Sequence, residues 1–205
     1  ALADFIARGG RLLVMVNHQV QSGVEKLLSE MGIAVRDDLV VDPNPLNRMI
    51  GLGPAAPMVI PTDESHPITE KLEVTAVMST ARSLGIKAIA DDSELEFTPL
   101  ALMRAGESAW GETNLEDGMA EQGDDDTLED VFVGIVATAP TEHLDAGKVS
   151  DEARVIAFGD SDWLSNKYLS MQGNKDLILN TLNWLAQRED RITVRPASRE
   201  GNKLE

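Results

Sequence analysis

The chain has 205 residues, which is enough for one medium-to-large domain with a sizeable core. Apolar residues make up 42% of it and charged residues 26%, a balance that excludes wholesale disorder and collagen-like architectures. The 35 acidic and 18 basic residues give a formal net charge of −17, which excludes nucleic acid and anionic lipid as favourable partners because both are polyanions. The chain contains no cysteine, which excludes disulfides, thiolate metal sites and cysteine nucleophiles.

The two ends of the chain indicate a segment of a longer protein. The sequence lacks an initiating methionine and finishes with Leu204 and Glu205, a pair often left by a cloning site. Residues 1–8 lack the basic start and apolar core of a signal peptide, and no run of about 18 apolar residues is present to cross a membrane. We therefore expect any targeting signal or membrane anchor to lie outside this segment, which does not itself insert into a bilayer.

The first part of the chain alternates helix and strand patterns. Apolar residues at helical spacing mark the helices, and short apolar runs mark the strands. The predicted elements are a helix over 1–8, a strand over Arg11–Val16, a helix over 24–31 and strands over Ile33–Val35 and Leu39–Val41. Their order indicates a β-α-β unit.

Two irregular insertions interrupt the rest of the chain. Six of the nine prolines lie between Pro43 and Pro67, which predicts a long irregular excursion. The stretch Gly111–Asp130 carries nine acids and no Lys or Arg, which predicts a solvated, mobile loop. Further strands are predicted at Met58–Ile60, Val74–Met78, Ile86–Ala90, Phe97–Met103, Val131–Ala137, Arg154–Phe158 and Ile192–Val194, and a helix at Asn174–Arg188.

These patterns predict a single α/β domain over residues 1–205, with a mostly parallel sheet and helices on both faces. The main evidence is the two unbroken apolar runs Leu12–Val16 and Val155–Phe158, because strands in parallel sheets are covered by helices on both sides. The Pro-rich and acidic segments are insertions into this domain.

Polar residues that directly follow the buried strands are the most site-like feature of the sequence. They are Asn17 and His18 after the first strand, Asp42 after Val41, and Asp160, Ser161, Asp162 and Asn166 after Phe158. Open α/β sheets bind their ligands at the carboxyl ends of such strands. If the three strands are neighbours, the converging carboxylates favour a divalent cation, or a ligand with hydroxyls and amines, over a phosphate.

A structural role is the alternative for the same carboxylates. Asp160 and Asp162 can bond the backbone of their own turn, or cap the helix that follows, as Asp does at strand-to-helix turns. The Asp-x-Asp spacing is too common to decide between a metal site and such a turn.

Several motifs that would mark an enzyme or nucleotide site are absent from the sequence. The stretch 17–23 holds one glycine, so the dinucleotide fingerprint is missing, and so is a Walker-type Gly-Lys-Ser/Thr sequence. There is no Gly-x-Ser-x-Gly elbow, and the histidines His18, His66 and His143 have no close metal-ligand spacing. The sequence predicts no cofactor.

Seven stretches of the sequence, taken in order, resemble one protein family. They are Phe5–Val14, Leu39–Asp42, His66–Thr69, Thr80–Leu84, Ser108–Glu112, Gly159–Asn166 and Asn180–Ala186. Together they resemble the Gldg family, the auxiliary component of uncharacterised ABC-type transport systems linked to gliding motility. The acidic insertion is not part of this pattern.

The resemblance implies a large soluble domain of a membrane-anchored protein. Such a domain is held at the extracytoplasmic (periplasmic) face of the cytoplasmic membrane, and its partners are the ABC permease and ATPase subunits of the same system. The resemblance also implies a three-layer α/β fold similar to flavodoxin-like, class I glutamine amidotransferase-like and flagellar-transport domains. Those amidotransferases use a cysteine nucleophile, which this chain lacks, and the resemblance brings no catalytic residue to it.

We therefore expect a non-catalytic binding or interaction domain of an ABC transporter auxiliary protein. The alternative is a hydrolase or metal-dependent enzyme that uses Asp160, Asp162 and His18. An Asp160 carboxylate bonded within its own turn would favour the first expectation, and a ligand bound at the strand ends would favour the second.

Overall fold

A computed structural model describes residues 1–89, 95–115, 120–141, 147–171 and 173–188 of the chain. The helices are α1 (Leu2–Ala7), α2 (Val24–Glu30), α3 (Pro45–Met49) and α4 (Asn174–Leu185), with a 3₁₀ turn at Asp162–Leu164. The strands are β1 (Arg11–Met15), β2 (Ile33–Val35), β3 (Leu39–Val41), β4 (Met58–Pro61), β5 (Ala76–Val77), β6 (Leu84–Ile86), β7 (Thr98–Ala105), β8 (Trp110–Glu112), β9 (Phe132–Pro140) and β10 (Glu152–Phe158). None of the described helices is long and apolar enough to span a bilayer.

Eight of the described strands form one sheet, in the order β1-β10-β9-β7-β4-β5. β6 pairs with β9 and also with β2, while β3 and β8 form a separate antiparallel pair. Only β1 and β10 pair in parallel among the described strands, with Met15 opposite Phe158. All other pairings are antiparallel.

The prediction of a mostly parallel sheet is therefore wrong, and a flavodoxin- or amidotransferase-like arrangement is not confirmed. The apolar runs have a different cause. In β10, Val155 and Ala157 belong to one core cluster while Ile156 and Phe158 belong to another, because successive side chains of a strand point to opposite faces. Burial on both faces requires cover on both sides of the sheet, but it places no condition on the direction of the neighbouring strands.

The helices supply that cover from both sides. α1 and α2 contribute Ile6 and Leu28 to the core cluster that contains Val155. α4 contributes Leu177 and Trp184 to the cluster on the other face of the sheet. The architecture is thus mixed α/β, with a mostly antiparallel sheet between helices.

Most predicted elements are confirmed close to their predicted residues, but the predicted β-α-β unit does not form because β2 pairs with β6 and not with β1. The strand predicted at Val74–Met78 is limited to Ala76–Val77. The one predicted at Ile86–Ala90 is wrong in position, because the strand lies at Leu84–Ile86 and residues 87–89 are not in a strand. Ala90, His143 and the predicted strand Ile192–Val194 lie outside the described residues.

Both insertions contain structure that the sequence patterns missed. The Pro-rich excursion holds α3, which begins where the Asn44 side chain accepts a 3.0 Å hydrogen bond from the Leu46 amide. The acidic stretch begins inside β8, where Gly111 is buried and is hydrogen-bonded to Thr127 in both directions. The prediction of a solvated loop is wrong there, because buried Trp110 and the pairing with β3 hold this part in the core; residues 116–119 lie outside the described residues.

Gly159→Ala tests how closely the end of β10 approaches the chain beside it. The Arg82 amide donates to the Gly159 carbonyl at 2.9 Å, and a methyl group on Gly159 would overlap the Arg82 carbonyl oxygen. We expect the free energy of unfolding to fall by about 3 kcal/mol or more, because a clash with backbone cannot be relieved by rotating a side chain. Urea denaturation with an unchanged m value measures this loss.

Gly53→Ala is the matched control for this substitution. Nothing lies within 4 Å of a carbon added at Gly53, so its stability should stay within about 0.5 kcal/mol of the wild type. Equal stability of the two variants would contradict the close approach at Gly159.

Candidate functional site

The ends of β1 and β10 meet at one edge of the sheet because these two strands are parallel neighbours. Asn17 forms an isolated bridge with Ala81, and the Arg82 amide donates to the Gly159 carbonyl. Asn17 and Asp160 are therefore brought to the same edge, as predicted. The segment Thr80–Ser83, called the junction segment below, contacts both strand ends.

Asp160 is fully buried and holds its own turn together. One carboxylate oxygen accepts a 2.8 Å hydrogen bond from the Asp162 amide, and the other accepts a 3.1 Å bond from the Trp163 amide. The Trp163 indole donates in turn to the Asp160 carbonyl at 3.0 Å and packs edge-on against Phe158, with ring centroids 5.1 Å apart. The arrangement is the self-bonded turn that the structural alternative describes.

Burial is the main cause of the raised pKa of Asp160. Loss of solvent raises the pKa of its carboxyl from 3.8 to about 6, because a charged carboxylate is poorly stabilised away from water. The amides of Asp162 and Trp163 favour the charged form and offset part of this rise.

The other predicted residues near this edge differ in exposure. Ser161 is half-buried, while Asp162 and Asn166 are exposed to solvent. His18 donates from Nδ1 to the Asp38 carbonyl at 2.9 Å, and its buried Nε2 has no hydrogen-bond partner among the described residues. His18 and Asp160 are thus held by different parts of the fold.

Asp42 lies in a different environment from Asp160, because β3 belongs to the separate two-stranded sheet. It is buried, and its carboxylate accepts hydrogen bonds from the Asn44 amide at 3.0 Å, the Asn47 side-chain amide at 3.0 Å and the Ser108 hydroxyl at 2.6 Å. None of these donors bonds to Asp160. The structure therefore unites the ends of β1 and β10 but leaves Asp42 with its own set of partners.

Asp38 is a buried carboxylate that the sequence reasoning missed. It accepts hydrogen bonds from the Ser83 amide at 2.7 Å, the Ser83 hydroxyl at 2.6 Å and the Thr127 hydroxyl at 2.9 Å. In the sequence it follows Arg36 and Asp37, and a run of charged residues is typical of a solvated turn. No signal in the sequence marks it as buried.

Arg82 is the second residue that was missed, and it is buried beside Asp38. Its guanidinium donates to the carbonyls of Arg36 at 2.6 Å and Val20 at 3.2 Å, and pairs with the exposed carboxylate of Asp37 at 3.5 Å. Arg82 lies in Thr80–Leu84, one of the seven stretches of the family resemblance, and this was the signal in the sequence that could have identified it. Arg82 thereby ties the segments around Arg36 and Val20 to the junction segment.

Two further stretches of the family resemblance pack against each other: His66–Thr69 contacts Asn180–Ala186, most of which lies in α4. The His66 ring lies 5.2 Å from the Trp184 ring, and the Asn180 side-chain amide donates to the Ile68 carbonyl at 2.9 Å. Burial lowers the pKa of His66 because it disfavours the charged imidazolium. These contacts attach the end of the Pro-rich excursion to the core.

The described residues contain no group of three His, Asp or Glu side chains that could hold a metal ion. A cavity of about 740 Å³ opens elsewhere, between α1, α2 and residues 87–89, Leu95 and Phe97. The predicted site residues do not line it.

The comparisons with known proteins support the ABC-transport part of the family resemblance, and the narrower Gldg assignment is not confirmed. The sequence model of a family described as an ABC-type uncharacterized transport system matches residues 1–181. The chain belongs to this family. Its members are auxiliary components of ABC-type transport systems. No curated protein is similar enough in sequence to count as a relative.

Among solved structures, the N-terminal domain of mmIFT52 is similar to this chain, with a TM-score of 0.59 and 17% sequence identity over 90% of this chain and 68% of that one. Two cytoplasmic proteins of Salmonella typhimurium, STM3548 and STM1381 (strain LT2), align with TM-scores of 0.48 and 0.46 and identities of 12% and 15%. These alignments cover 89% and 90% of this chain and 58% of each of theirs. The similarity to the mmIFT52 domain shows a shared fold and nothing more.

Asp160→Asn tests the raised pKa of this carboxyl. Because its pKa is about 6 in the fold and near 3.8 when unfolded, the native state binds an extra proton between these two pH values, and stability falls as pH rises through that window. Relative to Asp160→Asn, the free energy of unfolding of the wild type should fall by up to about 3 kcal/mol between pH 4 and pH 7. Urea titrations across this range measure the difference.

Asp125→Asn is the control, because this side chain is exposed and is not among the groups that shift the pKa of Asp160, so the pH dependence should stay as in the wild type. His66, whose lowered pKa has the opposite sign of effect, is present in all three proteins and cancels from the comparison. A constant difference between wild type and Asp160→Asn would show that the pKa of Asp160 is the same in the folded and unfolded states, and would contradict the raised value.

Proposed function

We propose that this chain is a non-catalytic interaction domain of an auxiliary protein in an ABC-type transport system. The observation that carries the proposal is membership of the family, whose sequence model matches residues 1–181. An auxiliary component acts by contacting the other parts of its system. The partners we propose are therefore the permease and ATPase subunits of that system.

The buried carboxylates support a role without catalysis. Asp38, Asp42 and Asp160 each accept at least two hydrogen bonds from amides or hydroxyls of their own fold. A ligand or metal ion would have to displace these donors, and a buried donor that loses its acceptor costs about 1–3 kcal/mol. The three residues are better suited to holding the chain in place than to binding a substrate.

We further propose that the domain lies at the extracytoplasmic face of the cytoplasmic membrane, held there by segments outside these residues. The support is the resemblance of the seven stretches to the gliding-motility-linked Gldg family. The net charge of −17 is consistent with a domain that reaches the transporter through proteins, because anionic lipid repels such a surface.

Co-purification tests this function directly. The full-length protein, carrying an affinity tag, is co-expressed with the permease and ATPase encoded beside its gene. We expect both subunits to co-purify in mild detergent, and we expect protease added to intact spheroplasts to digest this domain. The control is the permease of an unrelated ABC importer, which should not co-purify.

The outcomes separate association from location. Absence of both subunits from the purified material would contradict the interaction function. Protection of the domain in intact spheroplasts, with digestion only after lysis, would contradict the extracytoplasmic location alone.

One observation favours a second candidate, a hydrolase or metal-dependent enzyme with its site around Asp160 and Asp162. A buried acid with a pKa near 6 at a strand end is typical of catalytic carboxyls. Calorimetric titration with Mg²⁺, Ca²⁺ and ATP distinguishes the candidates, and we expect no binding at millimolar concentrations. Cation binding that Asp160→Asn abolishes would favour the enzyme, while ATP binding by this domain would contradict both candidates.

A further inference from the structure

Three large apolar side chains lie next to one another in solvent around α3. Leu46, Met49 and Ile50 are 56%, 81% and 44% exposed. Their spacing of three and four residues places them on one face of the helical turn. Single exposed apolar residues are ordinary, but a contiguous group on a helix is typical of an interaction surface. We call these three residues the α3 patch.

The opposite side of α3 fixes the helix to the core. Asn47 is buried and donates to the Asp42 carboxylate, which also accepts from the Asn44 amide and the Ser108 hydroxyl. Buried Leu52 follows, with its amide bonded to the Asn47 carbonyl at 2.8 Å. The helix cannot turn to bury its apolar face without breaking hydrogen bonds to a buried carboxylate. The patch is thus held in place before any partner arrives, which lowers the entropic cost of binding.

The segment that carries the α3 patch contains no acidic residue, although the protein as a whole is strongly acidic. Between Asp42 and Asp63 the only charged residue is Arg48, whereas the whole chain has a net charge of −17. The long-range field of such a chain attracts a partner of net positive charge and repels both a second copy of itself and an anionic bilayer. Apolar contact can form at the patch without the desolvation of acidic side chains.

We propose that the α3 patch is the surface through which this domain docks onto the permease subunit of its transport system. The occupant is a protein surface with an apolar groove for Leu46, Met49 and Ile50, surrounded by net positive charge. The recognition is of the helix-in-groove kind, with Met49 as its central anchor. This proposal rests on the proposed function, since it names the surface by which the same association is made.

The test uses the full-length protein, co-expressed with the permease and ATPase encoded beside its gene. The triple variant Leu46→Ser/Met49→Ser/Ile50→Ser should reduce the affinity for the partner subunit at least 100-fold, because buried apolar anchors dominate such interfaces. The matched control, Leu179→Ser/Leu182→Ser, changes two α4 side chains that are each 47% exposed, and this variant should bind as the wild type does.

The salt dependence of binding tests the contribution of charge. Raising NaCl from about 50 to 500 mM should weaken wild-type binding, since screening reduces the long-range attraction.

The outcomes separate this proposal from the function on which it rests. If the wild type captures neither subunit, the proposed function fails; if the triple variant binds as well as the wild type, only the docking surface is overturned. Two further measurements test the occupant: sedimentation of the wild type for self-association, and its binding to vesicles of phosphatidylcholine and phosphatidylglycerol. If either is observed and the triple variant abolishes it, the proposed occupant is wrong. If the triple variant fails to fold by circular dichroism, Met49→Ser alone decides, with an expected loss of about tenfold.

Discussion

The backbone of the junction segment holds together parts of the chain that are far apart in sequence. Each of its four residues forms a backbone hydrogen bond to a different residue outside the segment. The Thr80 amide donates to Ala55 (2.7 Å), the Ala81 carbonyl accepts from Val40 (2.7 Å), the Arg82 amide donates to Gly159 (2.9 Å), and the Ser83 carbonyl accepts from Arg36 (3.1 Å). Thr80 adopts a left-handed conformation, with φ of 61°, which is unfavourable for a β-branched residue and is maintained by the surrounding structure.

Polar groups buried near this segment need hydrogen-bond partners, and charged side chains supply them. Where the junction segment leads into β6, its Ser83 amide and hydroxyl both donate to Asp38, and the Arg82 guanidinium donates to the carbonyls of Arg36 and Val20. Each buried charge is stable only because hydrogen bonds replace the water it has lost. The bonds from Ser83 to Asp38 and from the Val40 amide to the Ala81 carbonyl thus connect the sheet to the two-stranded β3-β8 pair.

Local patterns predicted the elements well because helix and strand periodicity depend on neighbouring residues. The apolar run of β1, the amphipathic pattern of α4 and the run of β10 all reflect burial, and each is confirmed. Short elements with weak patterns were missed: α3 lies in a Pro-rich stretch, and β8 begins an acidic one. In both, a few buried contacts made by Asn47 or Trp110 outweigh the composition around them.

Sequence patterns alone predicted the mixed α/β class and most elements, and the seven stretches identified an auxiliary family of ABC-type transport systems. It also placed Asn17 and Asp160 at one edge, because that inference required only that β1 and β10 be parallel neighbours. Only the tertiary structure decided the direction of the other strands, the separate environment of Asp42, the burial of Asp38 and the exposure of Met49. These features depend on which distant segments pair and cover one another, and the free energy of such contacts is set by the whole fold and not by the residues on either side.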